Sequence, residues 1–215
     1  MRKAARIMSK KSETNHKWKV TPLIVLLLLV AVSFCKIPLK SAKAEEGGNY
    51  PFQKQLEQDF NKVTYYGDSE IIKNLEIEDK NREPVLLKQD ENKLTLINYW
   101  ASWCVYCNLE FPVLEELSKN HEKDIKIIYI GDTKEGYKSF ESMAIKSNLP
   151  QHDNFYDSRN FVKKRYEIST LPTTFIVSPE GKIIYRLEGN GDWNSSYMEK
   201  LLGSLINNSS TPPES

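Results

Sequence analysis

Two cysteines stand at the point where a predicted β-strand gives way to a predicted α-helix. The apolar, partly β-branched run KLTLINYW (93–100) predicts a strand in the core of a sheet. The segment CVYCNLEFPVLEELSKN (104–120) follows after three residues and predicts an amphipathic helix. The apolar side of this helix is predicted to carry Leu109, Val113, Leu114 and Leu117. Cys104 and Cys107 therefore lie on the first turn of a helix that directly follows a buried strand.

The alternation of strands and helices continues on both sides of the cysteine pair. Upstream, residues 74–89 predict two short strands around a polar turn at 79–83. Downstream, the sequence predicts a strand at 124–132, helices at 137–148 and 158–168, a strand hairpin at 173–189 and a closing helix at 193–208. Such alternation predicts an α/β fold with a sheet covered on both faces, and the final hairpin makes the sheet mixed.

Three uses of a C-x-x-C pair can be compared on physical grounds. A structural disulfide that closes a ring of about four residues contributes only roughly 2 kcal/mol of loop entropy, which disfavours a staple. Structural zinc needs four ligands, and the two histidines after residue 44, His121 and His152, have no paired spacing. Transfer of Cu(I) through two thiolates stays open, because soft sulfur ligands suit that ion.

The redox interpretation has a mechanism that follows from the position of the pair. Unpaired N–H groups and the macrodipole at a helix N-terminus favour an anion at Cys104. Lowering a thiol pKa from about 8.5 to about 7 raises its thiolate fraction at pH 7 from about 3% to roughly half. Cys104 is thus predicted to attack a disulfide, and Cys107, one turn inside the helix, to resolve the mixed disulfide.

The stretch NYWASWCVYCNLEFP resembles the active-site stretch of the thioredoxin superfamily, most closely the membrane-associated thiol–disulfide oxidoreductases of the TlpA/ResA/CcmG type. The resemblance covers about residues 70–206 and includes the later segment STLPTTFIV. It implies an α/β, thioredoxin-like fold: a central mixed β-sheet flanked by helices, with an extra N-terminal strand pair. It also implies that the protein needs no cofactor or metal beyond a redox-active Cys104–Cys107 disulfide.

Four residues around the cysteine pair are predicted to bind the substrate, and for Leu171 and Pro172 the same resemblance implies this role. Pro172 corresponds to a cis-proline that faces the cysteines, with Leu171 beside the substrate. Trp103, directly before the pair, is predicted to pack in the core or to cover the sulfurs. Tyr106 stands where relatives usually carry proline, so the redox potential of the family cannot be transferred to this chain.

Glu110 is the third predicted catalytic residue. An acid early in a helix is usually solvated and gains from the helix dipole. Glu110 also follows Cys107 by three residues and so lies on the same side of the helix, one turn on. The resemblance implies a buried or partly buried glutamate at this position, where a carboxylate accepts or relays the proton of Cys107 as that thiol becomes a nucleophile.

The first 44 residues combine a basic head with an apolar run. The 16-residue run VTPLIVLLLLVAVSFC (20–35) follows seven Lys/Arg residues and has no polar face, which is typical of a signal peptide or membrane anchor. The segment AKA ending at Ala44 offers a cleavage site, whereas Ile37 and Leu39 would extend the run into a retained anchor. The positive-inside tendency predicts that residues 45–215 lie outside the cytoplasm, on the periplasmic side of a bacterial inner membrane.

The rest of the chain is predicted to divide into three parts. Residues 45–69 are predicted to form a linker with a short amphipathic helix starting within it, at 52–63. Residues 70–208 form the predicted thioredoxin-like domain, and residues 209–215 a disordered tail. From residue 45 onward the chain has 20 basic and 28 acidic residues, a net charge near −8, which argues against nucleic-acid binding.

These features together predict an enzyme, an extracytoplasmic thiol–disulfide oxidoreductase. The leading hypothesis is a reductase of disulfides in specific exported proteins, of the cytochrome c maturation or copper-site assembly type, recharged by a membrane thiol–disulfide electron donor. Cys104 and Cys107 are the only cysteines after residue 44, so a reducing partner would put no structural disulfide at risk. Two alternatives stay open: a dithiol oxidase that introduces disulfides, and a copper-carrying binding module with the same fold.

Overall fold

A computed structural model describes residues 50–72, 75–150 and 153–209 of the protein. The basic head and apolar run at 1–44 lie outside the described residues, and so does the predicted tail from 210 onward. Across the ranges that are described, no helix has both the length and the apolar character needed to cross a membrane.

One mixed sheet of eight strands organises the described part of the chain. The strands are β1 (Lys62–Ile71), β2 (Leu75–Glu78), β3 (Pro84–Leu87), β4 (Leu94–Ala101), β5 (Ile125–Asp132), β6 (Asn154–Tyr156), β7 (Thr173–Val177) and β8 (Lys182–Glu188). The helices are α1 (Gln53–Asp59), α2 (Val105–Asn120), α3 (Tyr137–Lys146), α4 (Phe161–Arg165) and α5 (Ser196–Ser209). The strand order is β1-β8-β7-β4-β5-β6-β2-β3, so the predicted strand pair β2–β3 lies at one edge.

Strand β4 lies inside the sheet, parallel to β5 and antiparallel to β7, and all eight of its residues are buried. A strand that is buried on both faces reads as a continuous apolar run, which explains the pattern of residues 93–100. Successive side chains enter opposite cores. Leu96 and Trp100 belong to the core on the α2 side, whereas Ile97 and Tyr99 belong to the other core.

A glycine on β5 allows close packing beside the strand that leads to the cysteines. A Cβ atom at Gly131 would lie 1.4 Å from Cε2 of Phe140, so the ring occupies the space that a side chain would need. Phe140 in turn stacks on Trp100 with ring centroids 4.3 Å apart. Helix α3 is thereby fixed against the end of β4 where α2 begins.

The N-terminal part of the sheet differs from the prediction. The helix predicted at 52–63 covers Gln53–Asp59, and β1 begins at Lys62, inside the segment predicted to be a linker. β1 pairs antiparallel with β8, with a register shift between Tyr65 and Glu70, and Gly67 has a φ of 57°. The irregular pairing breaks the alternation of apolar and polar residues by which a strand is recognised, which is why β1 was not predicted. The sheet starts at Lys62, before the predicted domain boundary at residue 70.

Candidate active site

The cysteine pair occupies the N-terminus of α2, as the sequence predicted. Cys104 and Cys107 form a disulfide, and Cys104 is the N-cap residue of the helix. The Cys107 N–H donates a hydrogen bond to Cys104 Sγ at 3.1 Å, and the Cys104 N–H donates to the Ala101 carbonyl at 3.1 Å. The sulfur of Cys104 therefore meets an N–H donor and the positive end of the helix dipole, both of which stabilise a thiolate.

The two cysteines differ in their access to solvent. Cys104 keeps 4% of its surface exposed, whereas Cys107 has none. An incoming thiol or disulfide therefore meets Cys104 first, and Cys107 is reached only from within the protein.

Four exposed apolar side chains lie within two residues of a cysteine of the pair along the sequence. This apolar rim consists of Trp103, Val105, Tyr106 and Leu109, and each of them is more than half exposed. The exposure excludes a core position for Trp103 and leaves its ring at the surface beside the pair. Large apolar side chains grouped at a protein surface are typical of an interaction site.

Helix α2 buries a different face from the one predicted. Its buried residues are Cys107, Glu110, Phe111, Leu114 and Leu117. Leu109 is 61% exposed and Val113 only partly buried, so the prediction was wrong for Leu109. The prediction assigned every leucine to the core, but the helical repeat aligns residue 110, not 109, with Cys107 and Leu114.

Glu110 lies inside the protein one helical turn from Cys107, with 2% of its surface exposed. Its Oε1 accepts a hydrogen bond from Trp193 Nε1 at 2.5 Å, and its Oε2 accepts one from Asn98 Nδ2 at 2.9 Å. The backbone N–H of Gly191 donates to the same carboxylate. The site thus supplies three donors to a single buried acid.

Burial raises the pKa of Glu110 to about 7, because removal from water disfavours the charged form. The hydrogen bonds from Trp193, Asn98 and Gly191 lower the pKa and so limit the rise. The carboxyl therefore exchanges its proton near neutral pH, where a general acid–base group works best.

Asn98 connects this acid to the neighbouring strand β7. The Asn98 Nδ2 that binds Glu110 also donates to Thr174 Oγ1 at 2.9 Å. Its Oδ1 is buried and has no hydrogen-bond partner within the described ranges. An acceptor therefore remains available within the group of polar side chains that holds the acid.

The predicted substrate-contact segment lies at the same end of the sheet as the disulfide. The Leu171–Pro172 peptide bond is cis, the isomer that the resemblance implied. Thr173, the next residue, pairs with Tyr99 near the carboxyl end of β4. Leu171 is partly buried and packs against the hydrophobic cores on both faces of the sheet. The Pro172 carbonyl accepts a hydrogen bond from Gly189 at 2.8 Å, which fixes the segment against β8.

Four residues of this site were not identified from the sequence: Asn98, Thr174, Gly191 and Trp193. Asn98 could have been identified from the sequence, because it is an amide side chain inside a largely apolar strand. Trp193 follows Glu110 by 83 positions, and no sequence pattern connects the two. Within the described ranges, no cluster of three or more His, Cys, Asp or Glu side chains is placed to hold a metal ion.

Residues 92–183 match the family model described as thioredoxin-like. Over this range the chain is similar to the thioredoxin-like family. In this thioredoxin-like chain the matched range contains β4, the cysteine pair, Glu110 and the Leu171–Pro172 segment. The sequence prediction of a thioredoxin-like fold is confirmed.

Relatives of this thioredoxin-like protein carry thiol–disulfide oxidoreductase names. ResA of Bacillus subtilis (strain 168) is 29% identical over 119 residues, 54% of this chain and 64% of ResA. ResA of Bacillus thuringiensis subsp. konkukian is 30% identical over 121 residues, 54% of this chain and 66% of that protein. The chain therefore spans just under two thirds of the length of these curated relatives. They confirm the resemblance to the TlpA/ResA/CcmG group.

A solved structure supports the same assignment. The thiol–disulfide oxidoreductase from Bacteroides fragilis NCTC 9343 superposes with a TM-score of 0.51 and 25% sequence identity. The match covers 63% of this chain and 99% of the Bacteroides chain.

Proposed function

We propose that the protein is a thiol–disulfide oxidoreductase that reduces disulfides in specific exported proteins. The observation that carries the proposal is a disulfide at a helix N-terminus in which only Cys104 reaches solvent, with the buried acid Glu110 one turn beyond Cys107. The names of the relatives support the chemistry, since both ResA proteins are called thiol–disulfide oxidoreductases.

The first step takes place at Cys104 of the reduced protein. Its thiolate attacks one sulfur of a substrate disulfide, and the N–H of Cys107 and the helix dipole stabilise the attacking form. The substrate S–S bond breaks, a mixed disulfide between Cys104 and the substrate forms, and the other substrate sulfur leaves as a thiolate.

The second step takes place at Cys107. This thiol gives its proton to the carboxylate of Glu110, whose pKa of about 7 leaves it partly ionised at neutral pH. The Cys107 thiolate attacks the sulfur of Cys104, the mixed disulfide breaks, and the second substrate sulfur leaves as a thiolate. Two electrons have then passed from the protein to its substrate, and a dithiol protein has to return them before the next cycle.

The apolar rim and the Leu171–Pro172 segment together form the substrate-binding surface in this proposal. Trp103 and Tyr106 contact the substrate on one side of the disulfide, and Leu171 and Pro172 on the other. The exposed apolar surface of the rim favours substrates with apolar residues next to their disulfide.

We place the reaction outside the cytoplasm, with the apolar run at 20–35 as a signal peptide or membrane anchor. A membrane thiol–disulfide protein is then the proposed electron donor. Apocytochrome c and copper-site assembly proteins are the proposed substrates, because both carry cysteine pairs that have to be reduced before they bind haem or copper.

The direction of electron flow is supported by the cysteine content of the chain. No cysteine other than the pair follows residue 44, so a reduced state endangers no structural bond. A dithiol oxidase with the same geometry would run the two steps in reverse. A Cu(I)-carrying module would bind the ion through the same two sulfurs, and anaerobic Cu(I) titration at low micromolar metal tests that alternative.

Substrate trapping tests the proposed function. The Cys107→Ser protein, expressed as the full-length chain in its host, is expected to accumulate mixed disulfides with a small set of exported proteins, because the second step is lost. Non-reducing gels followed by mass spectrometry identify the captured proteins. The Cys104→Ser/Cys107→Ser protein is the matched control and captures none.

The identity of the captured proteins also tests the substrate class. Exported proteins with a cysteine pair in a haem-binding or copper-binding segment are the expected set. Absence of any mixed disulfide that depends on Cys104 would overturn the proposed mechanism.

A further inference from the structure

We infer that Trp193 is a positioning residue for the Glu110 carboxylate, and that Phe60, the residue that follows α1, holds Trp193 in place. The inference rests on the proposed function only for the role of Glu110 as acceptor of the Cys107 proton. The contacts that support the inference do not depend on that role. The inference assigns the N-terminal helix a part in proton exchange at the cysteine pair.

The first contact is the short hydrogen bond from the Trp193 indole to Glu110 Oε1, at 2.5 Å. An indole N–H can only donate a hydrogen bond, so Oε1 must be an acceptor. It is therefore either a carboxylate oxygen or the carbonyl oxygen of the protonated acid, and not the oxygen that carries the proton. Trp193 is itself buried, with 2% of its surface exposed, and belongs to the segment of the chain that connects β8 to α5. The orientation of the carboxylate thus depends on a side chain outside α2.

The second contact packs the ring of Phe60 against the Trp193 indole. The ring of Phe60 meets Trp193 edge-to-face, with centroids 5.7 Å apart and an interplanar angle of 79°. Phe60 also covers Gly191, since a Cβ atom there would lie 2.1 Å from Cζ of Phe60. Because the Gly191 N–H is another donor to Glu110, one phenyl ring packs against two of the three groups that bind the acid.

Helix α1 is attached firmly enough to hold this ring. Leu56 of α1 is fully buried, and the Tyr197 hydroxyl on α5 donates a hydrogen bond to Asp59. The Asn61 N–H donates to the Glu188 carbonyl at 2.8 Å, which joins the residue after Phe60 to β8. The segment that leads from the predicted membrane anchor therefore reaches the interior of the active site.

Phe60, Gly191 and Trp193 all lie outside residues 92–183, the range that matches the family model. Asn98 lies inside that range, but the other two donors to the acid and the ring that packs on them come from parts of the chain on either side of it. This placement makes the support for the acid a property of this chain that the motif C-x-x-C-x-x-E does not encode.

Trp193→Phe tests the inference, because it keeps an aromatic ring and removes the N–H donor. Loss of a bond to the charged form is expected to raise the pKa of Glu110 from about 7 to about 8 or higher. The pKa is measured by NMR titration of the full-length, disulfide-bonded chain labelled with ¹³C-carboxyl glutamate. The Glu110 signal is assigned by its absence in Glu110→Gln.

Phe60→Leu separates the contribution of α1 and covers the case in which Trp193→Phe does not fold. It leaves the indole in place but removes the ring edge that supports it, and a smaller rise of the same pKa is expected. Leu75→Ala is the control for a general loss of packing, since Leu75 is buried in the core on the other face of the sheet. This control is expected to leave the pKa of Glu110 at the wild-type value.

The outcomes separate this inference from the proposed function. A Glu110 pKa that stays at the wild-type value in Trp193→Phe and Phe60→Leu, or that moves equally in Leu75→Ala, would overturn the inference. The titration uses the disulfide form and needs no exchange activity, so a protein without exchange activity would count against the proposed function alone.

Discussion

Replacing Cys104 with serine is expected to abolish reduction of protein disulfides, with kcat/KM lowered by at least about a thousandfold. A hydroxyl cannot form the mixed disulfide, and Cys107 cannot take over because none of its surface is exposed. The rate is measured with the full-length chain, a disulfide-bonded protein substrate and an excess of a small dithiol as electron donor.

Cys107→Ser is the informative comparison for this experiment. It retains the accessible thiol, so when the protein is first reduced and the dithiol is then removed, a single attack on the substrate is expected at a rate close to that of the wild type, without release of reduced product. Turnover that survives in Cys104→Ser but not in Cys107→Ser would show that Cys107 is the attacking residue. The assignment of roles from exposure would then be wrong.

Glu110→Gln is expected to change how the stability of the protein depends on pH. The pKa of Glu110 rises from an ordinary value of 4.5 to about 7 in the folded protein, so between these values the folded state binds a proton that the unfolded state has lost. Wild-type stability should therefore fall as pH rises through this window, by up to about 3 kcal/mol from this group. The fall is complete once pH exceeds the folded pKa.

The glutamine variant should not show the decrease in the free energy of unfolding that Glu110 causes as pH rises. It should therefore be more stable than the wild type at pH 8. A glutamine amide fits the site because the buried Asn98 Oδ1 lacks a partner in the described structure and can accept its N–H after a flip of the Asn98 amide. Denaturant unfolding of the disulfide-bonded chain at several pH values between about 4 and 8 measures the effect.

The matched control for this charge change is Glu116→Gln, at an exposed position on the same helix. The difference between the two variants isolates the effect of a buried carboxyl. If Glu110→Gln and wild type lose the same free energy of unfolding across the window, Glu110 does not take up a proton near neutral pH. Its role as acceptor for the Cys107 proton would then have to be abandoned.

The parts of the fold that were predictable are those whose pattern is local. β4 is buried on both faces and reads as an unbroken apolar run, and the cysteine pair marks the point at which the helix follows it. β1 was missed because Gly67 and the shifted register interrupt its alternation, and β6 has only three residues. Both strands form because of their pairing with neighbouring strands more than because of the β propensity of their own residues.

The candidate site divides in the same way. Cys104 and Cys107 were predicted from their spacing and their position where a strand gives way to a helix, and the resemblance pointed to Glu110 and Pro172. The surroundings of Glu110 were not predictable, because Trp193 and Phe60 come from opposite ends of the domain and meet only in the folded core. Leu109 was wrongly placed inward because the prediction assigned every leucine of the helix to the core, whereas the helical repeat aligns Glu110 with the buried Cys107 and Leu114.

The equilibrium potential of the Cys104–Cys107 pair tests the central claim most directly. The full-length chain is equilibrated with glutathione mixtures of increasing oxidising strength, and the fraction in the disulfide form is read by thiol alkylation. A protein that supplies electrons to substrate disulfides is expected to have a potential well below about −200 mV. A value of about −120 mV would identify a dithiol oxidase and would contradict the proposed reductase.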